Sequence, residues 1–192
     1  MPLTFDSPEP ELLSQVAAGL DELLSLEGLS LNESKAYWTP VYTMSGMHIL
    51  LNTLPKDRVG WRFMIAKPNL GGAVAGDFAI PGKADGTKYG NAVIPATTGI
   101  YDGPAVDRAL DALLYDWVDT PEAYHVRLLR ISGPAVQALW LVPRSSSAKT
   151  GGPKIVPYRT LAQGIEKRAY DQGEFFGLLK PLAKRKLQSR DL

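Results

Sequence analysis

Tyr124-His125-Val126-Arg127-Leu128-Leu129-Arg130-Ile131, then Ser132-Gly133-Pro134, then Ala135-Val136-Gln137-Ala138-Leu139-Trp140-Leu141-Val142: two apolar runs split by a tight turn signal decide the fold. Pro134 would disrupt one continuous helix, and the branched residues with short punctuation favour two strands. The reading is an antiparallel hairpin over 124–142. In regular strands Val126 and Leu128 share a face, as do Val136, Ala138 and Trp140. Leu129, Ile131, Leu139 and Leu141 make the opposite faces apolar too, so this hairpin belongs in the interior, with Trp140 in the core.

Upstream, Trp61, Phe63 and Ile65 alternate, and after Lys67–Gly72 the run Val74, Gly76, Phe78, Ile80 does likewise, predicting a second hairpin over 61–80. Pro81 to Pro95 has the Gly, Lys, Asp and Asn composition of a surface loop. Asp102-Gly103-Pro104 opens a helix over 104–118 with Val106, Leu110, Leu113 and Trp117 as its apolar stripe. Ser7-Pro8-Glu9-Pro10-Glu11 caps and starts a helix over 8–27, which Gly28 ends. Trp38-Thr39-Pro40 interrupts any helix in 29–60, where one or two short turns are expected, and Met47–Leu51 reads equally as helix or strand. Lys154–Tyr158, bracketed by Pro153 and Pro157, reads as an edge strand; Thr160 caps a helix to about Ala169; 174–187 reads as a helix kinked at Pro181. The expected fold is α+β: one antiparallel sheet from two hairpins, helices 8–27 and 104–118 packed on it, and a C-terminal helical segment, all in a single domain over 1–192.

Composition narrows function mainly by exclusion. With 45% hydrophobic and 21% charged residues the chain is globular rather than disordered. No cysteine is present, which excludes disulfides, thiolate zinc sites and cysteine nucleophiles. No apolar run approaches the ~20 residues of a membrane span, and Met1–Asp6 lacks a basic and apolar leader, so a cytoplasmic location and no membrane partner are expected. Ser146-Ser147-Ala148-Lys149 fits S-x-x-K and Lys149-Thr150-Gly151 spells K-T-G, but one shared lysine cannot serve both roles of serine acyl-enzymes. The glycines of 71–83 match neither phosphate-loop nor dinucleotide registers. No metal or cofactor is expected.

His48 and His125 are the only histidines. They lie in no metal-ligand spacing, yet a ring with an ordinary pKa of about 6.5 can serve as a general base, so they are the catalytic candidates.

The charge distribution is lopsided. Residues 1–34 carry seven acids and no base, and residues 144–192 carry eleven bases and four acids, within an overall net charge of +1. The expected function is therefore a non-catalytic interaction or assembly component with oppositely charged terminal segments. Its candidate contacts are Glu9, Glu11, Asp21 and Glu22 in helix 8–27, and Lys180, Lys184, Arg185, Lys186 and Arg190 in the basic 174–192 segment. A protein partner or a second copy is the expected occupant. The alternatives are an enzyme of unknown reaction, hydrolysis being one option, using His48 or His125, and a nucleic-acid-associated protein using the basic segment.

Overall fold

The 124–142 hairpin forms the middle of a mixed sheet whose strands are β1 (Leu3–Thr4), β2 (Ala36–Met44), β3 (Arg58–Lys67), β4 (Gly72–Ala79), β5 (Pro95–Thr98), β6 (Tyr124–Ile131), β7 (Val136–Pro143), β8 (Lys154–Thr160) and β9 (Tyr170–Asp171). The computed structural model describes residues 3–10, 13–14, 25, 36–67, 72–79, 95–98, 108–112, 123–132, 135–145 and 151–188. The strand order is β5-β4-β3-β2-β6-β7-β8-β9, with β1 also paired to β6. Both expected hairpins form, β3–β4 and β6–β7, each antiparallel. They are joined by β2, antiparallel to β3 and parallel to β6.

β2 corrects the expected turns of 29–60. Thr39-Pro40 ends helices but not strands at a position where a ladder partner is missing. Pairing with β6 starts only at Val41, so Pro40 stands just outside that ladder, where its lack of an N–H is tolerated. The ambiguous 47–51 run is mostly a short helix, α1 (Gly46–Leu50). The supposed edge strand runs on to Thr160, and its Pro157 lies at a register shift against β7. β9 covers its outer side at Lys154 and Ile155.

The helix expected from Thr160 does not form. Thr160 Oγ1 accepts the Ala162 N–H at 3.0 Å, closing a turn instead of capping a helix, and Gly164 has a φ of +81°. The C-terminal helix is α2 (Gln172–Gln188), and Pro181 lies inside it. Pro10, Leu13, Ser14, Ser25 and 108–112 are helical; the rest of helices 8–27 and 104–118, and most of the 81–95 loop, lie outside the described residues. No helix among the described residues is long and apolar enough to cross a membrane.

Both faces of the central strands are buried, as the double apolar pattern requires. On one face Tyr42, Leu129, Ile131, Ala138, Trp140 and Ile155 meet Phe175, Phe176, Leu179 and Ala183 of α2. Those helix positions recur at steps of one, three and four residues and are 0–1% exposed, an apolar stripe laid on the sheet. Trp140 is 5% exposed. The other face holds Val41, Tyr124, Val126, Leu128, Leu139 and Tyr158, with Leu110 of the 108–112 helix and the N-terminal Leu3 and Phe5 packed there.

This second face is concave. Arg62 Nη1 donates to Tyr158 Oη at 3.0 Å, although β3 and β8 are four strand spacings apart, roughly 19 Å in a flat sheet. That gap exceeds the joint reach of the two side chains, so the sheet twists and curls until they meet.

Candidate functional site

His48 is committed to local structure. It is the third residue of α1, and the backbone N–H of Ser45 donates to its Nδ1 at 3.2 Å. The Ser45 hydroxyl lies 2.8 Å from the same nitrogen. Because Nδ1 accepts the backbone N–H, the ring carries its proton on Nε2 and the hydroxyl donates as well. The ring therefore fills the place that Glu or Gln takes in a capping box.

His125 has a different environment. Its Nδ1 is 2.9 Å from Asp6 Oδ1, and the two side chains are 32% and 33% exposed. The contact exists because β1 pairs in parallel with the start of β6, Thr4 opposite His125, which carries Asp6 past the ring. A carboxylate on Nδ1 fixes the ring orientation and leaves Nε2 as the nitrogen that Asp6 does not engage. The two histidines are not brought together. Met44, just before Ser45, pairs with Ile131, six residues along β6 from His125 and roughly 20 Å away at strand rise.

Of the charged termini, Glu9 pairs with Arg58 Nη2 at 2.9 Å. Arg58 in turn stacks on Trp61, with its guanidinium carbon 4.3 Å from the ring centroid. The Arg58 hydrogen bond holds the Glu9 carboxyl below its ordinary pKa. Glu11, Asp21, Glu22 and Arg190 lie outside the described residues. Lys184 and Arg185 are exposed on the last turns of α2, Lys180 is half-buried, and Lys186 donates to the Ser132 carbonyl at 3.3 Å. Cations at this end of a helix complement its dipole.

A polar group that the sequence reading passed over sits on the concave face. Arg62 is 3% exposed and Thr39, opposite it on β2, is 0% exposed with no hydrogen-bond partner for its hydroxyl. Tyr158 accepts from Arg62 and donates to Gln137 Oε1 at 2.8 Å. Arg130 is opposite Gln137 on one side and Thr43 on the other, so Thr43, Arg130 and Gln137 form one half-buried row across β2, β6 and β7. Burial and the nearby Arg62 charge push the Arg130 pKa down to about 10. Alternation could have placed Arg62 opposite in direction to Trp61 and Phe63, and Arg130 in line with Val126 and Leu128. It could not show that those positions are covered.

On the other face Arg127 is held by rings, its guanidinium carbon 5.3 Å from Tyr42 and 5.0 Å from Trp140. Comparison of the chain with protein-family models, curated proteins and solved structures finds no match.

Proposed function

We propose that the protein is a non-catalytic assembly component that associates head to tail, the basic end of α2 in one copy docking on the acidic N-terminal segment of the next. The observation that supports this is how the charges are used within one chain. Asp6 and Glu9, the described acids of the N-terminal segment, are engaged by His125 and Arg58. Lys184 and Arg185 stand exposed on a helix anchored by Phe175, Phe176 and Leu179, with no ion pair among the described residues. A fixed helix presents these cations without a large ordering cost.

Exposed pairs contribute about 0–1 kcal/mol each and are screened beyond ~8 Å at physiological salt, so the association is weak and salt-sensitive. Sedimentation velocity over a range of concentrations tests it. Association at low salt that fades at high salt, and fades equally in Lys184→Glu/Arg185→Glu, is the expected result. A concentration-independent monomer at both salts sinks the reading, and salt-dependent binding to nucleic acid by such a monomer would favour the basic-segment alternative.

The enzyme reading is favoured by one contact, Asp6 with His125, because a carboxylate-oriented imidazole is the arrangement general-base chemistry uses. Under it, hydrolysis found on an ester and phosphoester panel is lost in His125→Gln and kept in His48→Gln; activity that survives His125→Gln ends that reading.

A further inference from the structure

We propose that the outer face of α1, Met47 with the C-cap residue Leu51, is the apolar half of a docking surface that receives the acidic N-terminal segment of a second copy beside the basic end of α2. This rests on the assembly reading and deepens it: the cations steer, and α1 holds.

The need for such a surface comes from the charges themselves. Exposed ion pairs are weak and screened by salt, so Lys184 and Arg185 alone hold no lasting assembly. Burial of apolar area is the dominant favourable contribution in most protein association. Among the described residues the large apolar side chains left exposed are Tyr37, Met47, Leu51, Leu161 and Leu178. Of these, only Met47 and Leu51 stand one turn apart on a single element, the Leu51 N–H donating to the Met47 carbonyl at 3.0 Å. They are 54% and 64% exposed. A lone exposed leucine needs no explanation, but two apolar residues four apart on a helix present a common face.

α1 is short but fixed. Ile49 is buried in the same core as Phe175, Phe176 and Leu179, with Leu50 and Leu54 packed against that core, which leaves Met47 and Leu51 to the outside. The helix lies along α2. A Cβ added to Gly46 would stand 3.8 Å from that of Ala183, and Gln172 Nε2 donates to the Asn52 carbonyl at 3.3 Å. Met47 follows Gly46 in one helix and the exposed Lys184 and Arg185 follow Ala183 in the other, so the apolar face and the cations belong to one corner of the fold.

Charge and pattern together select the occupant. Residues 1–34 carry seven acids and no base, and leucines stand directly beside acids in Glu11-Leu12-Leu13 and Glu22-Leu23-Leu24. A cationic surface with an apolar neighbour is complementary to a segment of that composition.

Sedimentation velocity of the full chain at low and high salt tests the proposal with Met47→Ser/Leu51→Ser. Both positions are exposed, so the variant is expected to keep the wild-type circular dichroism spectrum and nearly the wild-type unfolding midpoint. Its dissociation constant for self-association is expected to rise about tenfold or more at low salt, with the fold-weakening caused by salt unchanged. Met47→Leu/Leu51→Met, which keeps the apolar area, should associate as wild type does. Association left unchanged in Met47→Ser/Leu51→Ser but lost in Lys184→Glu/Arg185→Glu overturns the role of α1 and leaves the assembly reading standing. A wild type that stays monomeric overturns both. Flotation of such a monomer with phosphatidylserine-containing vesicles, lost in Met47→Ser/Leu51→Ser, would assign this corner to a lipid surface instead.

Discussion

Arg127 shows how the neighbours of an arginine decide whether it serves ring packing or hydrogen bonding. Its guanidinium rests against Tyr42 and Trp140, rings that pack edge to face with centroids 5.1 Å apart, and this is a packing unit. Arg62 instead donates to the Tyr158 hydroxyl. Trp140 anchors the packing unit, and Trp140→Ala is expected to cost about 3–5 kcal/mol in urea denaturation, as truncation of a large buried aromatic does. A cost below ~1 kcal/mol would place Trp140 outside the core. His48→Ala removes one half of the α1 cap and is expected to cost about 0.5–2 kcal/mol, a local loss. Glu9 contributes stability above its unfolded pKa that is lost as pH falls through its lower folded value. With its side chain 57% exposed the contribution is at most a few tenths of a kcal/mol. Glu9→Gln should therefore flatten the acid side of the stability profile, and an unchanged profile would mean that the Arg58 pair is not populated in solution.

Among the elements, the two hairpins were legible because alternation, length and turn residues all agree within a few positions of each other. β2 was not, because its reading depends on β6, more than eighty residues away, and on where that ladder begins relative to Pro40. The 161–169 segment failed for a local reason: the Thr160 hydroxyl satisfies an N–H two residues on, which looks identical in sequence to a helix cap. The basic helix was legible from its stripe, and Asp6 beside His125 was not, since only the parallel β1–β6 pairing joins them. Within α2, Gly177 has open space where a Cβ would stand. Gly177→Ala is expected to stabilise the protein by about 0.5–1 kcal/mol through lower backbone entropy of the unfolded chain. A loss of stability on chemical denaturation would show that this stretch of α2, one turn before Pro181, needs glycine.

At the scale of the whole molecule, charge is separated along the chain, and among the described residues the N-terminal acids Asp6 and Glu9 pair with His125 and Arg58 rather than with bases of the C-terminal segment. The N-terminal acids Asp6 and Glu9 are used to tie the first residues to β6 and β3, and the exposed cations of α2 face away from the sheet that anchors them. The Arg130 penalty is present at every pH below about 10 and is relieved only as pH rises toward the ordinary arginine value, so the fold carries it throughout the neutral range. Head-to-tail pairing makes a demand that other uses of these charges do not: the two ends must be complementary to each other. A charge-swap sedimentation experiment measures this most directly. One variant, Lys184→Glu/Arg185→Glu, reverses the charge of the exposed cations at the end of α2, and a second, Glu11→Lys/Asp21→Lys/Glu22→Lys, reverses three acids of the N-terminal segment. Each alone is expected to sediment as a monomer at low salt, and an equimolar mixture is expected to associate, with the association lost at high salt. A mixture that remains monomeric, or single variants that associate as wild type does, would contradict the account.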